Sequence, residues 1–205
     1  AQAGPLLRQM EQLGLGNVNP VTTTPVTTVT AAGQPNPAAD TLGRVLAAIS
    51  GQESGQGAST DKVLNTILGS LTGSGAQTQL TPTAQRDLLV GAATADRSGA
   101  VGVTNSLAQN LGTPASTAAQ IQNTVSQLAD LADKKITTTT LTPADFAAIG
   151  VTGVTNENLN AVLNQVAQRP SGAEQVNSTG KVQDLVPAPA PAPAPAPEPE
   201  PPAPP

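Results

Sequence analysis

The 205-residue sequence has no histidine, cysteine, tryptophan or tyrosine, and Phe146 is its single aromatic residue. Without cysteine, disulfides and thiol chemistry are excluded, and with histidine also missing, so are the structural zinc sites built from the two. The lack of histidine removes the usual general acid or base near neutral pH, leaving only carboxylates or lysines whose pKa a buried setting has shifted. Charge is scarce too: 11% of residues are charged, and 9 basic against 14 acidic side chains give a net charge of -5. The basic residues are scattered. Nucleic-acid binding, which needs clustered Lys and Arg and stacking aromatics for single strands, is therefore not expected. No apolar run approaches the roughly 18 to 20 residues that span a bilayer, so this chain offers no transmembrane segment.

Hydroxyls and carboxylates remain. A serine or threonine nucleophile needs a base to take its proton. The run Ser178-Thr179-Gly180-Lys181 has Ser-x-x-Lys spacing, but it sits in an Asn/Ser/Gly-rich stretch and reads better as a helix start with a solvated lysine. Asp87, Asp130, Asp133 and Asp145 are the carboxylates on which an enzyme would have to rely. Asp145 follows Thr142 by three positions, the spacing of a capping box or of an acid at the positive end of a helix. Asn156, Glu157 and Asn158 could touch calcium, yet no Asp-x-Asp-x-Asp-Gly loop surrounds them, which favours a structural role. The expectation is a chain with no catalytic, cofactor or metal site.

What is abundant is Ala, Thr, 19 Gly and 20 Pro, unevenly distributed. Residues 1–15 hold a short amphipathic helix with Leu6, Met10 and Leu13 at helical spacing, too short to stand alone. Its opening, Ala1-Gln2-Ala3, has the small-x-small pattern found around signal-peptidase sites; a fragment of a longer chain is the other reading. Residues 16–37 form a Thr/Pro-rich linker, where Pro20 and Pro25 disfavour a central strand and leave an extended connector or an edge strand. Its threonines could also be ranked for an ice lattice, but the run is short and interrupted. Residues 187–205 alternate Pro-Ala and then Pro-Glu, a composition for polyproline II at about 3.1 Å per residue and a reach on the order of 60 Å. A ligand for proline-binding domains is the lesser alternative.

Between these lies a helical region, residues 38–186, either one unit or two modules, 38–112 and 113–186. Thr81-Pro82, Thr113-Pro114 and Thr142-Pro143 each place a Thr N-cap before a proline suited to the first turn. A first stripe from about Pro37 carries Leu42, Val45, Leu46 and Ile49 before Gly51. A second from Ser59 carries Val63, Leu64, Ile67, Leu68 and Leu71 and ends at Gly73. A third after Thr113 carries Ile121, Val125, Leu128 and Ala132 and stops near Lys134 and Lys135, cations suited to a helix C-terminus. A fourth after Thr155 carries Leu159, Val162, Leu163 and Val166. Each stripe is narrow and needs a neighbour to cover it. The expected fold is all-α: a small irregular bundle of short capped helices with a lean aliphatic core, flanked by disordered or polyproline-like linkers.

A degenerate internal repeat is also visible. Leu80-Thr81-Pro82-Thr83-Ala84 is followed by Gly102-Val103-Thr104-Asn105, and Leu141-Thr142-Pro143-Ala144 by Gly153-Val154-Thr155-Asn156, the second copy about ten residues shorter. The second copy belongs to a longer run: Thr117-Ala118-Ala119-Gln120-Ile121, then Leu141 through Val162, then Val176-Asn177-Ser178-Thr179. This run, over residues 113–186, resembles a helical module repeated in very large bacterial surface adhesins. The resemblance implies helical modules set between extracellular domains. Family modules usually form long arrays, whereas here one good copy stands beside one eroded copy. The Pro-Ala tail resembles the hinges that precede cell-wall-binding domains in outer-membrane proteins.

The sequence thus leads to a non-catalytic spacer or adhesion segment of a secreted or surface-attached bacterial protein. The alternative is an interaction or self-assembly module of the cell envelope. No cofactor is implied. The expected partner is an unidentified protein or cell surface, the expected state a monomer or weak self-associate, and the location extracellular or cell-surface, with the periplasm as the rival.

Overall fold

The computed structural model describes residues 10–188, apart from 12, 17, 20–21, 26–36, 58, 74–78 and 171. The expected amphipathic helix over 1–15, most of the 16–37 linker and the Pro-Ala run from 189 onward lie largely or wholly outside these residues. Among the described residues the chain is all-α, with one two-residue strand pair. The helices are α1 (Pro37–Gln56), α2 (Thr60–Gly69), α3 (Pro82–Arg97), α4 (Val103–Leu111), α5 (Ala115–Ala132), α6 (Pro143–Ala148), α7 (Leu159–Ala167) and α8 (Thr179–Gln183), with a 3₁₀ turn at Gly172–Gln175 before α8. β1 (Leu71–Thr72) and β2 (Gln79–Leu80) pair antiparallel, Leu71 opposite Leu80.

The centre of the body is α3, which packs against α1, α4 and α5. Every residue from Leu88 to Ala95 is buried. A helix that is apolar all round belongs in a core, and small residues there let neighbouring helices come close. The narrow stripes close around it. Leu42, Val45 and Ile49 of α1, Val63 and Ile67 of α2, Ile121, Val125 and Leu128 of α5, and Val162 and Val166 of α7 are all buried. Phe146 of α6 is fully buried as well, and a single apolar cluster runs from Leu13 to Leu185. Leu46 and Leu64 differ from the stripe reading: they are exposed on the outer faces of α1 and α2.

Gly51 is not a helix stop. α1 continues through it to Gln56 because Gly51 is where α1 crosses α3. A Cβ built on Gly51 would fall 1.9 Å from the carbonyl oxygen of Gly91, and one on Gly91 would fall 2.4 Å from that of Ala48. The two backbones touch where neither has a side chain, and this sets the spacing of the central pair. The second stripe ends earlier than expected, at Gly69, and Leu71 leaves the helix to pair with Leu80.

Helix ends follow local chemistry. Thr81 caps α3, its Oγ accepting from the Ala84 amide at 3.2 Å. Thr142 and Asp145 close α6: the Asp145 carboxylate accepts from the Thr142 amide at 2.8 Å and the Thr142 hydroxyl at 2.7 Å. Thr113 does not cap α5. Its amide bonds back to Ala108 O at 2.8 Å and finishes α4, so Pro114 stands at the α5 N-cap. Thr155 also lies a turn short of its helix. It exchanges hydrogen bonds with Asn158, which is the N-cap of α7.

The two Leu-Thr-Pro segments each open a helix with Thr at the N-cap and Pro in the first turn, and their ten-residue difference sits in the helix, 16 residues in α3 against 6 in α6. Both helices end in a Schellman turn, Gly99 and Ala100 bonding back to Asp96 and Ala95, Gly150 and Val151 to Ala147 and Phe146. A second left-handed glycine follows three residues on, Gly102 or Gly153. At the end of α5 the same turn is made by Lys134, at φ 60° the one non-glycine residue with positive φ among those described.

Candidate functional site

Polar side chains gather where the segment Gly172–Gln183 lies across α1, α3 and α5. Gly55 allows the approach: a Cβ there would fall 2.5 Å from Asn177 O. Asn177 is 8% exposed and fully engaged. Its Nδ2 donates to Ser54 Oγ at 3.2 Å, its Oδ1 accepts from Lys181 Nζ at 3.0 Å, and its carbonyl lies 3.5 Å from the Thr94 hydroxyl. A cavity lies on either side of this residue. One, of 310 Å³, is walled by Gln52, Gly55, Asp87, Gly91, Ser178 and Thr179 among others. The other, of 300 Å³, is walled by Thr94, Arg97, Asp133, Ala173 and Glu174 among others.

The Ser178–Lys181 spacing is that of an N-cap and the third residue of its helix. Ser178 Oγ accepts from the Lys181 amide at 3.4 Å. The Lys181 ammonium is not simply solvated. Its protons go to Glu174 O at 2.6 Å, Asn177 Oδ1 at 3.0 Å and Ser54 O at 3.4 Å, and it makes no hydrogen bond to the serine hydroxyl.

Asp130 and Asp133 are brought together by Arg97, whose two terminal nitrogens reach one carboxylate each at 2.6 Å. Asp133 also accepts from the Ala173 amide at 2.7 Å and pairs with Lys135 at 3.1 Å. The Ala173 amide above all, with Lys135 and Arg97, holds the Asp133 carboxyl below its ordinary range against a smaller opposing effect of burial. This cluster pins the 3₁₀ turn to the end of α5.

Asp145 and Asp87 stand apart from it. Burial pushes Asp145 up, but hydrogen bonds from Gln120 and from the Thr142 amide and hydroxyl outweigh it and hold the carboxyl low. Asp87 is the reverse. Burial raises it, only partly offset by the nearby Arg86 charge and the Thr179 hydroxyl. The Thr179 hydroxyl donates to Ile149 O at 2.7 Å and stands 3.4 Å from Asp87, so its proton is aimed at a carbonyl rather than at a base. Asn158 ties its own turn, with Nδ2 on Gly153 O at 2.8 Å, and the Thr155 hydroxyl reaches Glu157 at 3.4 Å. No group of three or more acidic side chains converges as a metal site among the described residues.

Two polar residues that anchor the body had no signature in the sequence. Asp96 accepts from the amides of Val103 and Thr104 at 2.8 and 3.0 Å and from the buried Thr104 hydroxyl at 2.7 Å. It thereby caps α4 from the preceding helix. Arg97 finds its partners 33 and 36 residues away. An Asp six residues before Gly102-Val103-Thr104 is the only local hint.

These features define a helical body whose polar side chains mostly serve helix ends and crossings. No protein-family model, curated protein or solved structure matches the chain. No described helix is long and apolar enough to cross a membrane.

Proposed function

We propose that this chain is a non-catalytic structural spacer or adhesion segment of a secreted or surface-attached bacterial protein. In this reading a helical body and a Pro-rich connector set the distance between flanking elements. One observation carries it: Asp96, Asp130, Asp133, Asp145, Ser178 and Lys181 are spent on capping helices and pinning loops. The resemblance of residues 113–186 to adhesin modules and the Pro-Ala composition of 187–205 support the same reading.

Small-angle scattering on the full chain and on a chain ending at Ala188 tests it. The 17 residues removed would extend about 50 Å as polyproline II, so the maximum dimension should fall by tens of ångströms on truncation. A compact full-length particle whose dimension does not change would overturn the spacer.

A second reading, an interaction or self-assembly module of the cell envelope, is favoured by the exposure of Leu46 at 43%, Leu64 at 39% and Val101 at 43%. Analytical ultracentrifugation separates the two: concentration-dependent association supports self-assembly, and monomer alone at high concentration removes it.

A further inference from the structure

The cleft between α1, α3 and the start of α8 has an unbalanced set of hydrogen-bonding groups. Gln52, on the cleft wall beside the glycine crossing, is 7% exposed, and its Oε1 has no hydrogen-bond partner. A buried carbonyl oxygen without a donor is costly, and a donor from a bound molecule would satisfy it. Asp87 lines the same cleft, and one of its oxygens meets only the Thr179 hydroxyl at 3.4 Å.

Three of the side-chain donors around this space are already committed. Lys181 gives its protons to Glu174, Asn177 and Ser54, Thr179 donates to Ile149, and Asn177 to Ser54. Ser178 differs: its Oγ accepts from the Lys181 amide and keeps a hydroxyl proton to give. The matching ligand therefore brings N–H protons for two acceptors and takes one O–H. A bare ammonium is a poorer match, because Arg86 already sets a positive charge near Asp87. A carboxylate would set its own acceptors against Gln52 Oε1 and Asp87. The volume of 310 Å³ is at the lower end for ligand clefts, room for about ten waters.

We propose that this cleft binds a primary carboxamide, with its NH₂ group serving Gln52 Oε1 and Asp87 and its carbonyl oxygen on the Ser178 hydroxyl. The source is either a free small amide or the side-chain end of a glutamine or asparagine in a peptide. This proposal is independent of the spacer reading, since a spacer without the site and a site without a spacer role are both coherent molecules.

The test titrates the ¹⁵N-labelled full chain with propanamide and, as a carbonyl of like size without N–H, with butanone. Propanamide should give saturable shifts at Gln52, Gly55, Gly91 and Gly180, and butanone should not. Gln52→Met, a swap of similar length whose folding is checked by circular dichroism and melting, should weaken propanamide about tenfold, the value of one well-made hydrogen bond. Asp87→Asn reads the other acceptor if Gln52→Met does not fold, and should weaken binding severalfold. N-acetylglutamine N-methylamide identifies the source: tighter binding than propanamide assigns a peptide side chain, and equal or weaker binding assigns a free amide. Equal shifts from propanamide and butanone, no saturable shifts, or an unchanged Kd in a folded variant would each overturn the proposal, leaving a cleft that holds water alone.

Discussion

Gly51→Ala is the perturbation whose effect the fold fixes best. In an open helix interior the change should stabilise by about 1 kcal/mol, since alanine is the better helix former. Here the new methyl would stand 1.9 Å from the Gly91 carbonyl oxygen, where ordinary contact begins near 3.4 Å. The helices would have to part by about 1.5 Å, and a gap of even 0.5–1 Å forfeits roughly a quarter to a half of each dispersion contact along the seam. Because backbone meets backbone, no rotamer can absorb the clash. A net loss of about 3 kcal/mol is expected, at the upper end of overpacking costs even after the propensity gain. For a body of this size that lowers Tm by about 6–12 °C. Gly180→Ala in α8 is the control, because a Cβ there meets nothing within 4 Å, and it should be neutral or stabilising. Adding Gly91→Ala to Gly51→Ala should cost less than the sum of the single changes, since the first has already separated the helices. Thermal melts of the parent and the four variants decide the matter. A Gly51→Ala protein as stable as the parent would refute the close crossing.

Lys134→Gly should stabilise by about 1 kcal/mol in urea titration, because Lys134 holds a left-handed conformation at φ 60° that costs a side chain about 1–2 kcal/mol. Asp96→Ala should destabilise by about 3 kcal/mol, removing the α4 cap and orphaning the buried Thr104 hydroxyl; calorimetry reads it directly. The Asp133 carboxyl is held below its ordinary value of 3.8, so its stabilisation is present above that pH and lost as pH falls through the lowered value. Asp133→Asn should therefore be less stable than the parent at neutral pH, with the gap closing on acidification below 3.8, as measured by denaturant titrations across that range.

The parts of this fold that were legible in the sequence are those specified within a turn or two of the chain. The Thr142–Asp145 cap and the Ile121, Val125, Leu128 stripe depend on neighbours three or four residues apart, and both stand as read. α3 gave no stripe because Leu88 to Ala95 is buried on every side, and a helix covered all round has no period to find. Gly51 reads as punctuation in one dimension and becomes a contact surface only when Gly91 lies opposite it. Thr113 and Thr155 carry the letters of a cap, but the preceding helix end claims the one and a tight turn with Asn158 the other. Leu46 and Leu64 fit a stripe by spacing yet lie beyond the arc that neighbouring helices cover. The site was legible only in fragments. Ser178 and Lys181 sit in a readable local setting, whereas Gln52 and Asn177 acquire meaning from contacts that span most of the chain.

Native-state hydrogen exchange across the whole chain tests most directly whether the helices stand only by covering one another. If they do, the amides of Leu88 to Ala95 and those of Ile121 to Leu128 should open together, with the same free energy and the same denaturant dependence. Residues 113–186 opening at a markedly different free energy from α1 and α3, in separate cooperative steps, would contradict it.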